Sequence, residues 1–195
     1  MADAITKLSI YNGALIELGQ SVLSSLTSGD AETLSTLNTQ FPRALRTSLK
    51  AQNWDFATKY GRPDLISSAV NDTPYTYQYQ LPNDFLKFQK VTDENDNKVD
   101  YENINDGLYT DQNPIIIKYT ATVEDYKKFD DDFANLLSYN LAELCAEALT
   151  GNLNKEDFLN GKTDKLESIG ASRSVGKSAK KYSITDDSPY INIRG

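Results

Sequence analysis

The sequence predicts an α+β protein that is predominantly helical: a four-helix bundle of two α-hairpins, a small antiparallel β insertion in the middle, and an extended C-terminal arm. Three observations point there. Apolar residues recur at helical spacing up to about Gln52 and again from Phe133, which is the period of an amphipathic helix. Between them lie short runs of period two, separated by Asn, Asp, Gly and Pro, the pattern of strands joined by tight turns. After Gly170 the periodicity fades into a Ser, Lys and Gly rich stretch. The segments are 1–60, an N-terminal helical hairpin; 61–128, the β-rich insertion; 129–170, a helical pair completing the bundle; and 171–195, the arm.

The elements follow in order. Ile5, Leu8, Tyr11, Leu15 and Leu18 share one face of a helix from Asp3 to Leu18, and Gly19 is its natural stop. Asp30 or Ser28 caps a second helix reaching about Gln52, with Ala31, Leu34, Leu37, Phe41, Leu45 and Leu49 as its stripe. Pro42 removes a ladder hydrogen bond inside that run and predicts a kink or a restart. Trp54 and Phe56 alternate as in a strand, and Gly61-Arg62-Pro63-Asp64 ends the segment.

Tyr75, Tyr77, Tyr79 and Leu81 then alternate as in a half-buried strand. Phe85 to Val91, Lys98 to Tyr101, Leu108 to Thr110 and Ile115 to Thr120 are further strand candidates. Tight turns between them predict antiparallel pairing. Asp130-Asp131-Asp132 opens a third helix through the macrodipole, with Phe133, Leu136, Leu137, Leu141, Leu144, Ala148 and Leu149 on its apolar face and Gly151 at its end. Phe158, Leu159, Leu166 and Ile169 mark a fourth, from Lys155 to Ile169.

Composition removes much chemistry. The chain has 195 residues and no His, so imidazole bases, Ser-His-Asp triads and His-ligated zinc are excluded. One Cys builds neither an intrachain disulfide nor a thiolate cage. Cys145 falls on an apolar helix face and predicts a small core residue. No apolar run approaches the roughly 20 residues of a membrane span, and the N-terminus lacks the pattern of a secretory leader. No cofactor or metal is expected.

Net charge is −8, and all of it sits in residues 93–132, where 12 acids face 4 Lys. Such a surface repels a phosphate backbone, because nucleic-acid affinity comes chiefly from Lys and Arg displacing counterions. It reads either as solvated loops or as a surface that DNA passes without sticking.

Several motifs fail on context. Residues 171–178 match a relaxed phosphate-loop pattern, but a helix precedes them where a buried strand is needed. Asp93, Asn95 and Asn97 imitate the start of a calcium loop, yet Lys98 and Ile104 stand at its glycine and closing-glutamate positions. Ser174–Lys177 and Ser178–Lys181 have serine–lysine spacing without a scaffold to preorganise them. No Lys or Arg is interleaved among Tyr75, Tyr77 and Tyr79, so packing is the better reading than base stacking.

An ordered series of short motifs remains. Phe41-Pro42-Arg43-Ala44-Leu45-Arg46-Thr47-Ser48-Leu49 is followed by Trp54-Asp55-Phe56-Ala57, then by Tyr77-Gln78-Tyr79-Gln80-Leu81-Pro82-Asn83-Asp84-Phe85-Leu86. Leu108-Tyr109-Thr110-Asp111, Ile116-Ile117-Lys118-Tyr119, Asp125, Phe129-Asp130-Asp131-Asp132-Phe133, Leu141-Ala142-Glu143-Leu144 and Leu149-Thr150-Gly151 come next. Across roughly residues 5–170 this resembles the tail tubular protein A family, the head-to-tail adaptors of T7-like short-tailed phages, and the wider head-completion connectors.

The resemblance implies a structural virion protein of the neck, assembled in the host cytoplasm. It implies a homo-oligomeric ring of twelve copies that docks under the portal protein, carries the tail nozzle (tubular B-like) protein and leaves a channel for DNA, which passes without specific binding. On this reading the chain is not an enzyme and meets no membrane. Asp93, Glu94, Asp96, Asp100, Glu102 and Asp106 are the candidates to line the channel or its mouth. The arm, through Lys180, Lys181, Tyr190, Ile191, Ile193 and Arg194, is the candidate portal contact: its cations give reach and its apolar alternation suits strand addition. The alternative is a tail-associated polysaccharide or peptidoglycan hydrolase working through an Asp/Glu pair.

Overall fold

Thr6 opens the first helix. In the computed structural model, which describes residues 4–68, 73–151 and 161–164, its hydroxyl accepts the Ser9 N–H while the Ser9 hydroxyl accepts the Thr6 N–H, a reciprocal capping box. That helix, α1, spans Lys7–Leu18 and closes at Gly19 with φ 66°, a left-handed value that glycine adopts without steric cost. Asp30 caps α2 (Ala31–Ala51) by accepting the Thr33 N–H at 2.8 Å. Asp130 caps α3 (Asp131–Thr150) through the Phe133 N–H at 2.8 Å. Residues 161–164 are helical, the described part of the predicted fourth helix.

α3 packs against both α1 and α2. Leu15, Leu37, Leu49, Phe133, Leu137 and Leu141 are fully buried between them. Close approach of α1 to α3 depends on Gly13, where a Cβ would stand 2.7 Å from Ser138 Oγ. That hydroxyl is itself occupied, donating to the Ile10 carbonyl of α1. α2 runs through Pro42 as one element and does not restart there. Pro42 is exposed, so the carbonyl that loses its helical partner can turn to water.

From the end of α2 a 3-10 turn, Asp55–Ala57, leads into β1 (Thr58–Gly61), β2 (Asp64–Ser67), β3 (Tyr77–Gln80), β4 (Phe85–Thr92), β5 (Glu102–Ile104), β6 (Gly107–Thr110) and β7 (Ile116–Ala121). They form two antiparallel sheets, ordered β1-β7-β4 and β2-β3-β6-β5. Tyr79, Val91, Leu108, Ile115, Ile117 and Tyr119 build a second core within them. β4 and β7 meet α2, and Lys87 Nζ donates to the Lys50 carbonyl at the helix end.

This arrangement overturns the helical four-helix bundle with a small insertion. The protein is α+β, and its described residues hold seven strands in two sheets with a core of their own. β1 and β2 carry no period-two signal, because both are edge strands with little to bury; Tyr60, Leu65 and Ile66 all stay exposed. The predicted strand at Lys98–Tyr101 is reduced to a single bridge from Lys98 to Thr92, and pairing resumes at β5. Trp54 and Phe56 belong to a compact turn, not a strand. Antiparallel pairing and the starts and ends of α1 and α3 agree with the pattern read from the sequence to within a few residues.

Inside the helical layer Asn140 Nδ2 donates to Ser48 Oγ at 2.7 Å, and Ser48 Oγ donates to the Ala44 carbonyl. Both side chains are buried. Ser48→Ala should therefore lower the unfolding free energy in urea by about 1–3 kcal/mol, the cost of stranding a buried donor. Ser48→Ala/Asn140→Leu, which removes both partners, should recover most of that loss.

Candidate functional site

The seam between the helices and the sheets is where the quoted motifs converge. Trp54 Nε1 donates to the Ser48 carbonyl at 2.9 Å and turns the chain back under α2. Its ring meets Phe133 of α3 edge-on at 5.1 Å. Phe56 packs on Phe133 at 5.0 Å and on Phe129 at 5.4 Å, and Phe129 stacks on Phe133 at 4.6 Å. Such edge-to-face pairs add roughly 0.5–1.5 kcal/mol each beyond their buried area.

A second node lies at Leu81-Pro82-Asn83-Asp84. Asp84 Oδ2 pairs with Lys59 Nζ of β1 at 2.6 Å, and Oδ1 accepts the Tyr119 hydroxyl of β7 at 3.1 Å. The Asp84 backbone carbonyl accepts the Thr122 N–H at 2.7 Å. One residue thus ties the β3–β4 loop to two strands of the other sheet. Burial pushes the Asp84 carboxyl up, but the hydrogen bonds from Lys59 and Tyr119 and the Lys59 charge outweigh it and hold it below its usual value. Burial, then the bond to Asp84, push the Tyr119 phenol up to about 12. Both residues belong to the motif series, but their meeting is invisible in the sequence, because only tertiary structure brings β1, β7 and the loop together.

The acidic residues 93–106 differ in their partners. Asp93 accepts the N–H groups of Asn95 and Asn97 and the Asn97 side-chain amide, so its carboxylate is spent on its own turn and no calcium loop is built. Those bonds hold it below the usual carboxylate range. Glu94 pairs with Arg62 at 2.8 Å and Asp96 with Lys90 at 2.6 Å. Asp100, Glu102 and Asp106 are exposed. Asp106 lies in the β5–β6 turn, while Asp93–Asn97 forms the turn after β4. Lys180, Lys181, Tyr190, Ile191, Ile193 and Arg194 lie outside the described residues, as does the phosphate-loop-like stretch 171–178.

Among the described residues no group of three metal-ligating side chains is placed to hold an ion. The Asp30, Asp84 and Asp93 carboxyls are each held below the usual value, opposite to the shift a general acid needs near neutrality. Cys145 is fully buried, and burial pushes its thiol up to about 12, as befits a core residue and not a nucleophile. No helix among the described residues is long and apolar enough to cross a membrane. Comparison of the chain with protein-family models and with curated proteins finds no match.

The Asp84 node contributes to the pH dependence of stability at both ends of the range. Its folded carboxyl lies below the unfolded value, so the stabilisation is complete above the ordinary carboxylate range and is lost as pH falls through the folded value. Tyr119 behaves oppositely: its contribution is complete below pH 10 and is lost between 10.0 and about 12. Asp84→Asn should cost about 1 kcal/mol at neutral pH, discounted for the exposure of Lys59, and should flatten the acid limb of urea stability. Tyr119→Phe should flatten the alkaline limb and, by removing one of the hydrogen bonds that hold Asp84 down, should shallow the acid limb in part, less than Asp84→Asn does.

Proposed function

We propose that the chain is a structural subunit of a short-tailed phage neck, a head-to-tail adaptor that assembles as a ring beneath the portal, carries the tail nozzle and leaves a channel for DNA. The observation that carries this reading is where the ordered motif series falls. Trp54, Phe56, Phe129 and Phe133 tie the helices to the strand that leaves them; Tyr79, Leu81, Asp84 and Tyr119 tie one sheet to the other. The likeness to the adaptor family is therefore a likeness of scaffold, and shape is what a ring subunit works by.

On this reading the exposed members of the acidic stretch, Asp100, Glu102 and Asp106, face the DNA path, where like charge keeps the duplex from adhering. Glu94 and Asp96, neutralised by Arg62 and Lys90, contribute less. The C-terminal arm grips the portal, its cations steering and its Tyr190-Ile191-Asn192-Ile193 run adding a strand.

Cryo-EM of the virion neck should show the chain as a ring between portal and nozzle. Pull-down with purified portal should succeed for the full chain and drop at least tenfold on deleting residues 182–195. A neck without this subunit, or undiminished portal capture by the truncated chain, would count against the ring and the arm respectively.

A further inference from the structure

The outer face of α2 carries a charge opposite to that of the chain. From Thr33 to Trp54 there is no acid, and the cations are Arg43, Arg46 and Lys50. Spacings of three and four residues put these three on one side of the helix, where they span about 10 Å of its axis. Phe41, Ala44, Leu45, Ser48 and Leu49 turn the other side into the core, and all three cations are exposed. The ion pairs among the described residues go to Lys59, Arg62, Lys90, Lys128 and Lys162, and none goes to these three side chains. Where the stripe ends, Lys87 Nζ stands 2.8 Å from the Lys50 carbonyl and adds its charge to theirs.

The second sheet has the contrary sign. Residues 63–83 and 99–117, which contain β2, β3, β5 and β6, hold no Lys or Arg against Asp64, Asp72, Asp100, Glu102, Asp106 and Asp111. α2 meets β4 and β7, strands of the other sheet, so the two charged faces belong to different layers of the fold.

A cationic helix face has two natural occupants, an acidic protein and a phosphate backbone. Protein interfaces draw their affinity from buried apolar or aromatic anchors ringed by polar groups. The outer face of α2 offers no such anchor: Ser35, Thr39, Pro42 and Thr47 are its other exposed positions, and the large apolar side chains that stay exposed among the described residues all lie elsewhere. Phosphate contact needs only cations held in place. A guanidinium fork matches two phosphate oxygens at once, and over about 10 Å one DNA strand presents about three phosphates. We propose that α2 is a sequence-independent nucleic-acid contact, with Arg43, Arg46 and Lys50 pairing with neighbouring phosphates of one strand. The second sheet repels the same duplex, so the chain holds DNA on one side only, weakly and without reading bases. This contact goes beyond the adaptor reading and does not need it, since a free duplex meets the same face.

Fluorescence anisotropy of a short labelled duplex of arbitrary sequence, titrated with the purified full chain at low salt, tests it. The logarithm of the binding constant should fall with the logarithm of salt at a slope of about −2 to −3, the value for three phosphate contacts. Arg43→Glu/Arg46→Glu should lower the affinity at least tenfold, and Arg43→Lys/Arg46→Lys should keep most of it. Lys98→Glu/Lys118→Glu and, on the arm, Lys180→Glu/Lys181→Glu change net charge by the same amount and should cost far less. No binding at low salt, or an equal loss from either of these controls, overturns the contact. Displacement of the duplex by polyglutamate at matched charge also overturns it, by marking the face as one for an acidic protein. A neck without this subunit would remove the adaptor reading and leave the DNA contact standing; a neck ring built from a chain that fails the titration would do the reverse.

Discussion

The end of α2 has to satisfy two cores at once, and Ser48 is where it does so. Its carbonyl takes the Trp54 indole N–H, and its hydroxyl takes the Asn140 amide of α3 while donating back to Ala44. With those bonds made, Trp54 lies against Phe133, the 3-10 turn delivers β1, and Thr58 anchors on the Trp54 carbonyl. Buried polar groups of this kind are costly when half-satisfied, so the node defines one exit angle for the chain. The position of both sheets relative to the helices follows from that angle.

The helices were legible because their determinants are local. Thr6, Asp30 and Asp130 cap, Gly19 and Gly151 stop, and apolar faces repeat at the helical period. The size of the β region was not. A strand announces itself by alternation only if one face is buried and the other wet; β2 is exposed along most of its length, and β4 carries two bulges, between Phe85 and Lys87 and between Phe88 and Lys90, that break its period. β4 and β7 lie in one sheet with β1, although β1 is some sixty residues distant from β7. No short-range pattern reports such pairings, and an insertion read as small is the natural error.

The site divides the same way. Cys145 was readable as a core residue from its helical position, and the calcium-like run Asp93, Asn95, Asn97 from its missing ligands. The Lys59–Asp84–Tyr119 node was not readable, since its members come from β1, a loop and β7. Charge pairing was not legible either: residues 93–132 look like one acidic block in the sequence, yet Arg62, from the β1–β2 connection, and Lys90, from β4, neutralise Glu94 and Asp96.

Rigidity and incompleteness coexist in this chain, and the combination has a physical logic. Interior polar groups are almost all satisfied; among the described residues only Gln89 Oε1 is buried without a partner, and its amide nitrogen reaches the Thr58 and Thr120 hydroxyls. Outside, six large apolar side chains among the described residues stay exposed, three at the end of α1 and its following loop and three on β1 and β2. On the ring reading proposed above, closure makes every copy's departure break two contacts, so each contact with a neighbour need only be modest where a single interface would otherwise have to be strong.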